Sequence, residues 1–482
     1  MLKARLTKLL KLDREDRHII FDKQSIAERV GLLSILDDRG FKLLRYDNVE
    51  EFRIVFEEDL KVKSGKIVVI VSRKIYVPYD IMTKFHVTDL TAEMLFPNLN
   101  PTVAMRHMLD WDIISFAYQN CYLDYTQAYQ TEQYIKNDVF SSVNIEMYCV
   151  AKSDELHCIS VNAVSYNDWI HVAKLKASIE YYAAMRNLRI NLIYTDEMFR
   201  KFVYNGYNRL SSEVGKIFPP ILTKTLLFIA DMNNDKTALI VMDGMSLFDF
   251  EVISRYFDRI DYEYNASFAL IPTTTPVSRQ SLLSGKYPIE LTKPFSLVDE
   301  EKEFKAKATA MGFSNRQVEY LRGYDANIRP LTKLAVVVVN EVDDIVHGQR
   351  QGRAGMYNDM GLLGNSGKLQ SLVSRLIREG FAVYITADHG NTQCTGIGNI
   401  RVGIEVESRS NRMVILKDFA EVNTFLFENT NEYPGYYLDK DYRYLICKTG
   451  ISLDINSETV MTHGGISIDE VIVPFIRIKG AR

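Results

Sequence analysis

Short apolar runs alternate with amphipathic stretches along the second half of the chain, and this alternation predicts an α/β fold with a doubly wound sheet. Residues 237–242 are apolar at nearly every position, the pattern of a strand buried on both faces, and Asp243-Gly244 ends it. A helix is expected directly afterwards. Ser246 and Asp249 make a capping box, and Leu247, Phe250, Ile253, Tyr256 and Phe257 recur at helical spacing. The same order repeats at residues 267–272, a predicted strand ending at Thr273-Thr274-Thr275, with a helix through 278–284 that stops at Gly285. Residues 333–340 predict a third buried strand, ending near Asp343. Leu369, Leu372, Val373, Leu376 and Ile377 mark a helix closed by Gly380, and residues 381–386 form the strand leading into Ala387-Asp388-His389-Gly390. Residues 412–416 and 470–473 complete the expected sheet.

The first half carries weaker periodicity. Residues 41–46 and 66–72 predict strands flanking a helix at 49–58, so a small α/β domain is expected over residues 1–100. Residues 101–230 are rich in tyrosine and helix formers and predict a helical domain. The polar stretch Asp231-Met232-Asn233-Asn234-Asp235-Lys236 reads as a linker into a catalytic domain over residues 236–482. Within that domain, residues 287–332 are longer than a simple crossover and are expected to form a cap over the site.

Composition narrows the class without naming a function. With 482 residues, 47% of them hydrophobic and 25% charged, the chain is long enough for two or three cores, and no stretch has the length and apolarity of a membrane span. The first residues, interrupted by Lys8 and Lys11, predict an amphipathic helix in place of a signal peptide, so a cytoplasmic location is expected and no membrane partner. Five cysteines, Cys121, Cys149, Cys158, Cys394 and Cys447, lack metal-ligand spacing and fit reduced thiols. A net charge of -4 gives no global attraction to nucleic acid, so any polyanion must be held locally.

The chemistry gathers at the predicted strand ends. Of the chain's eight histidines, three lie beyond His171: His347, His389 and His463, each expected in a loop beside an acidic residue or a glycine. Asp343 with His347, and Asp388 with His389, supply the mixed oxygen and nitrogen ligands that suit zinc or, less tightly, manganese. Asp243 and His463 extend the set to six side chains. Thr275 has two readings: a nucleophile activated by a bound dication, or one of three threonines capping the following helix. Arg279, one helical turn on, either points its guanidinium at a phosphoryl oxygen or forms a structural ion pair. Arg350 and Arg353, in an expected loop after His347, either contact phosphates or are simply solvated.

The order Asp243-Gly244, then Pro272-Thr273-Thr274-Thr275-Pro276-Val277-Ser278-Arg279-Gln280-Ser281-Leu282-Leu283-Ser284-Gly285, then Asp343 and His347, Ala387-Asp388-His389-Gly390 and Thr462-His463-Gly464-Gly465 resembles the alkaline phosphatase superfamily. Within it the chain is most similar to PglZ domains of bacterial phage-defence and signalling proteins, over residues 236–480; Val77-Pro78-Tyr79-Asp80-Ile81 and Phe96-Pro97 add a fainter likeness to phage-exclusion PglZ proteins. The resemblance implies Asp243, Thr275, Asp388 and His389 around one metal ion and Asp343, His347 and His463 around another, about 4 Å away. It implies in-line attack by Thr275, a covalent phosphothreonine, and hydrolysis of that intermediate. Sulfatase chemistry is disfavoured, because a threonine cannot be oxidised to the formylglycine that sulfatases use. Pro276 directly follows the nucleophile, whereas sulfatases and nucleotide pyrophosphatases place proline one residue later. The expectation is a two-metal hydrolase of phosphate esters, diesters above monoesters, with nucleotides or nucleic acid among the substrates and other defence proteins among the partners. The alternative is a scaffold or regulatory subunit of a defence complex with a vestigial metal site.

Overall fold

The computed structural model describes residues 1–46, 48–61, 65–72, 76–119, 124–232, 234–258, 260–398, 411–417 and 424–481. Cys121 and Asn233, used in the sequence reading, lie outside the described residues. The chain divides into two compact units, Met1–Tyr148 and Cys149–Arg482. No helix among the described residues is long and apolar enough to cross a membrane.

The first unit is built on a four-stranded sheet of β1 (Arg17–Phe21), β2 (Lys42–Arg45), β3 (Ile67–Val71) and β4 (His86–Asp89), in the order β2-β3-β1-β4 with parallel neighbours. β3 is buried at every position, and Ile19, Tyr46, Phe52, Phe56, Val69, Val71 and Ile81 pack as one core. The strands expected at 41–46 and 66–72 are β2 and β3. β1 and β4 escaped the sequence reading: β1 has only five residues, and β4 alternates between exposed and half-buried positions with no apolar run. Between β4 and residue 237 the described residues hold helices and no named strand, among them Trp111–Tyr118, Ala128–Tyr134, Tyr166–Met185 and Ile193–Gly206.

The second unit contains β5 (Thr237–Met242), β6 (Ile260–Phe268), β7 (Val318–Arg322), β8 (Leu334–Val339) and β9 (Ala382–Thr386). Then come β10 (Thr392–Gly396), β11 (Met413–Lys417), β12 (Thr430–Tyr433), β13 (Tyr442–Cys447), β14 (Ile451–Ser452), β15 (Thr459–Thr462) and β16 (Ile472–Ala481). The main sheet runs β6-β16-β9-β5-β8-β7. β9, β5, β8 and β7 are parallel neighbours, whereas β16 is antiparallel to both β9 and β6. β5 and β8 are buried throughout, as their unbroken apolar sequences require. Because β9, β5 and β8 are adjacent and parallel, the loops leaving their carboxyl ends emerge along one edge, where open sheets of this kind bind ligands.

Several expected strands lie elsewhere. The run at 267–272 is only the end of a strand that begins at Ile260 and stops at Phe268. β6 is a sheet edge, and its half-buried middle, Asp261 to Asn265, carries too many polar residues to read as an apolar strand. Residues 413–417 leave the main sheet altogether: β11 joins β13 and β12 in a small antiparallel sheet with its own core of Val414, Leu416, Leu426, Leu445 and Leu453. Glu470 lies in a short helix, Ile468–Val471, and the last strand begins at Ile472. Residues 287–332, expected as a cap, contain the helix Glu300–Ala310 and the edge strand β7 of the main sheet.

Candidate metal centre

Most of the site residues are carried by a turn or helix that starts close to the end of a strand. Asp243 directly follows β5, and Asp388-His389 lie two and three positions past the end of β9. After β8 the chain enters the helix Glu341–Gly348 almost at once, so Asp343 and His347 stand four residues apart on one helical face. This corrects the expectation of a loop at His347. Three carboxylates in the first turn, Glu341, Asp343 and Asp344, suit the positive end of this helix. His463 follows β15, which pairs with β10 so that Thr462 stands opposite Thr392. That register brings His463 beside the loop after β9, and the rings of His389 and His463 stack with centroids 4.1 Å apart. Thr275 is the first residue of the helix Thr275–Ser284; Thr274 is its N-cap and makes no side-chain cap hydrogen bond.

The seven residues come together as two adjoining groups. Asp343 Oδ1 lies 3.2 Å from His347 Nε2 and 3.4 Å from His463 Nε2, and the two imidazole nitrogens are 3.2 Å apart. Asp243, Asp388 and His389 form the second triad, with Asp243 Oδ1 3.6 Å from His389 Nε2. Thr275 Oγ1 sits against this second triad, 3.1 Å from His389 Nε2 and 3.3 Å from Asp243 Oδ1. Within each triad one ligand atom per residue lies within 4.8 Å of the others.

The surrounding backbone sets the direction of the lone pairs. The carbonyl of Gly390 is 3.1 Å from His389 Nδ1, and that of Thr273 is 2.9 Å from His463 Nδ1. A carbonyl only accepts, so both rings carry their proton on Nδ1 and turn an Nε2 lone pair into the centre. Asp343 Oδ1 and Asp388 Oδ2 are buried and accept no hydrogen bond. Buried acceptors of this kind are costly unless a cation stands near them, and a donor set of carboxylate oxygens and imidazole nitrogens suits zinc or manganese. The two triads are therefore candidate metal-binding groups. Burial holds His389 well below the ordinary histidine value, with His463 adding to the effect, which keeps the ring neutral as a ligand must be. Burial pushes Asp388 well above the usual carboxylate range; its neighbour Asp243 pushes the same way and Arg279 opposes both.

Arg279 does not face outward toward a phosphoryl group. Its side chain is 1% exposed; Nη1 donates to Asp243 Oδ2 at 2.5 Å, Nε donates to Glu300 Oε2 at 2.9 Å, and Nη1 lies 3.7 Å from Asp388 Oδ2. The reason is electrostatic: two buried aspartates need a counter-charge, and the Arg279 guanidinium lies within ion-pair distance of both. Arg353 is also turned inward, against Asn391, Asp469 and Glu180. Arg350 stays exposed and lines a cavity of about 480 Å³ together with His347, Asn411 and Asp454. The centre meets this cavity at His347, since Thr275, Asp388, His389 and His463 are all buried.

The sequence reading passed over Glu300 and Asn391. Glu300 sits in an acidic run, Asp299-Glu300-Glu301, that looks solvated, and nothing local marks it as the partner of Arg279. Asn391 was within reach, because it directly continues the Asp388-His389-Gly390 motif. Its Nδ2 donates to the Gly244 carbonyl at 2.9 Å and to Asp249 Oδ2 at 2.5 Å. Gly390 is required by close approach: a Cβ there would lie 1.9 Å from the Asp469 carbonyl oxygen.

Residues 224–478 match the family described as the BREX system PglZ alkaline phosphatase-like domain. No curated protein matches the chain. Among solved structures the chain is similar to murine ectonucleotide pyrophosphatase/phosphodiesterase 5, at 12% identity and a TM-score of 0.37, over 50% of this chain and 87% of that one. It is also similar to phosphonoacetate hydrolase from Sinorhizobium meliloti in complex with phosphonoformate, at 12% identity and a TM-score of 0.33, over 50% and 89% of the two chains. The human ectonucleotide pyrophosphatase/phosphodiesterase 5 gives 11% identity, a TM-score of 0.33, and coverage of 50% and 87%. The family match takes in more than half of the chain and every residue of both triads, and the protein belongs to the PglZ family, with an alkaline phosphatase-like domain.

Proposed function

We propose that this protein hydrolyses phosphate esters, diesters in preference to monoesters, with Thr275 as nucleophile and two divalent ions held by the two triads. The observation that carries the reading is the placement of Thr275 Oγ1, buried and 3.1 Å from His389 Nε2, against one of two adjoining groups of metal-ligand type. Asp243, Asp388 and His389 would hold one ion beside Thr275, and Asp343, His347 and His463 the other. Bound ions would lower the pKa of a neighbouring hydroxyl and offset charge on phosphoryl oxygens. Thr275 Oγ1 attacks phosphorus in line, so the leaving oxygen departs on the side away from it, toward Asp343, His347 and His463, where the cavity beside His347 opens. A phosphothreonine forms and water releases it. Diesters are favoured because Arg279 already faces Asp243 and Glu300, leaving its charge unavailable for the second negative charge of a monoester. The family's description points to bacterial phage defence as the setting, with other proteins of such a system as partners.

Purified protein should carry up to two divalent ions per chain, zinc before manganese, and lose turnover on treatment with chelators. Elemental analysis alongside a nitrophenyl phosphodiester assay checks this; full activity in metal-free protein would sink the two-ion reading.

Asp388→Ala and His389→Ala should lower metal occupancy and turnover together. Thr275→Ala should abolish turnover with occupancy largely retained. Near-normal activity in Thr275→Ala would reassign the nucleophile to Thr273, Thr274 or a metal-bound water.

Arg279→Ala should destabilise the fold by about 3–5 kcal/mol, because it leaves Glu300 and Asp243 buried without their partner. Denaturant unfolding measures the loss. An arginine acting on substrate would instead leave stability intact and raise KM.

Turnover of a nitrophenyl diester should exceed that of the corresponding monoester. A monoester preference beyond about tenfold, roughly 1.4 kcal/mol of transition-state discrimination, would make the enzyme a phosphatase. Protein that binds metal and turns over neither class would favour the scaffold reading.

A further inference from the structure

Arg353 is the second residue of the helix Gly352–Asn365, six residues beyond His347, and its guanidinium reaches three other parts of the chain. Nη1 donates to Asn391 Oδ1 at 3.2 Å; Nη2 donates to the Asn391 carbonyl at 3.3 Å and to Asp469 Oδ2 at 2.9 Å. Nε lies 3.2 Å from Glu180, and the charged group stands over the Phe248 ring at 4.9 Å. The backbone entry to this position is specific. Gly352 has φ +61°, a Cβ there would come within 2.2 Å of Gln393 Oε1, and that same oxygen accepts the Arg353 N–H at 2.9 Å.

Two of the groups that Arg353 holds, Asn391 and Asp469, lie close in sequence to different residues of the triads. Asn391 is two residues past His389, and its amide also donates to Gly244, the residue after Asp243. Asp469 is six residues past His463 and is gripped from the other side by Lys176 Nζ at 2.5 Å. The loop between them is tied by Gly390 N–H to the Glu470 carbonyl at 2.9 Å. One guanidinium and one amide thus brace the loops of Asp243, Asp388-His389 and His463 against the helix that follows His347. The planar fork of an arginine can serve three acceptors in fixed directions, which an ammonium cannot.

We propose that Arg353 and Asn391 are positioning residues that set the spacing of the two triads, and so the affinity for divalent ions. The inference rests on the reading that the triads bind such ions. Neither residue touches the reacting atoms. They act on the ligands through the loops that carry them, and loss of supporting groups of this kind lowers metal affinity about 10–100-fold.

The test is a zinc and a manganese titration of the full chain against a chromophoric chelator, for wild type, Arg353→Gln, Arg353→Lys, Asn391→Ala and the double variant Arg353→Gln with Asn391→Ala, with unfolding midpoints recorded in excess chelator. The wild-type isotherm is read first; an absence of ion binding there would remove the metal reading itself, and this proposal with it. Given wild-type binding, Arg353→Gln and Asn391→Ala should each weaken it about 10–100-fold. Arg353→Lys should not restore it, and the double variant should be no weaker than the worse single one. Should Arg353→Gln not fold, Asn391→Ala carries the same expectation alone. Affinities within about twofold of wild type, with only the chelator-treated midpoint lowered, would overturn the proposal and leave the network a purely structural one.

Discussion

Three aspartates and three histidines brought together at one edge of a sheet impose the condition that the rest of the second unit meets: negative charge and lone pairs in a dry site must be balanced. Asp243 and Asp388 lie close enough that each raises the cost of ionising the other, and burial adds to it. Arg279 supplies a fixed positive charge through Nη1, and Glu300 in turn accepts from its Nε. Arg279 is held charged by these three carboxylates despite a burial that opposes it. Asp343 Oδ1 and the Nε2 atoms of His347 and His463 around it form the other candidate metal-binding group.

The topology explains how residues so far apart in sequence share this edge. β5 lies between β8 and β9, all three parallel, so their exits fall side by side. His463 arrives by a different route, through the antiparallel pairing of β15 with β10, which starts immediately after the loop of Asp388 and His389. Asn391 and Arg353 then join these exits to one another through short, directed hydrogen bonds. A site assembled from several strand exits and helix starts depends on bracing of this kind to hold its geometry.

Burial on both faces is what made β5, β8 and β9 legible: a strand with no solvent face must be apolar throughout, and an unbroken apolar run is visible without a partner. β6 and β4 have solvent-facing positions and lost that signature, so one was truncated and the other missed. The capping box at Ser246 and Asp249 was legible because it is local, and the structure forms it in full. The helix with Asp343 and His347 was taken for a loop. At eight residues, starting two positions past the end of a strand, it has too few turns to show a period.

By itself the sequence determined the chemical inventory and its order: carboxylates and imidazoles after apolar runs, a threonine before a helix, and the motifs that mark the family. Only the tertiary structure decided what each charged side chain faces. Arg279 and Arg353 carry the same group and stand equally near site motifs, yet both turn inward, because Glu300, Asp469 and Glu180 approach them from distant parts of the chain. It also decided that residues 413–417 serve a small separate sheet and that residues 318–322 complete the main one. Ion pairs and strand pairings are satisfied by whichever partner comes near in space, and local sequence carries no record of that partner.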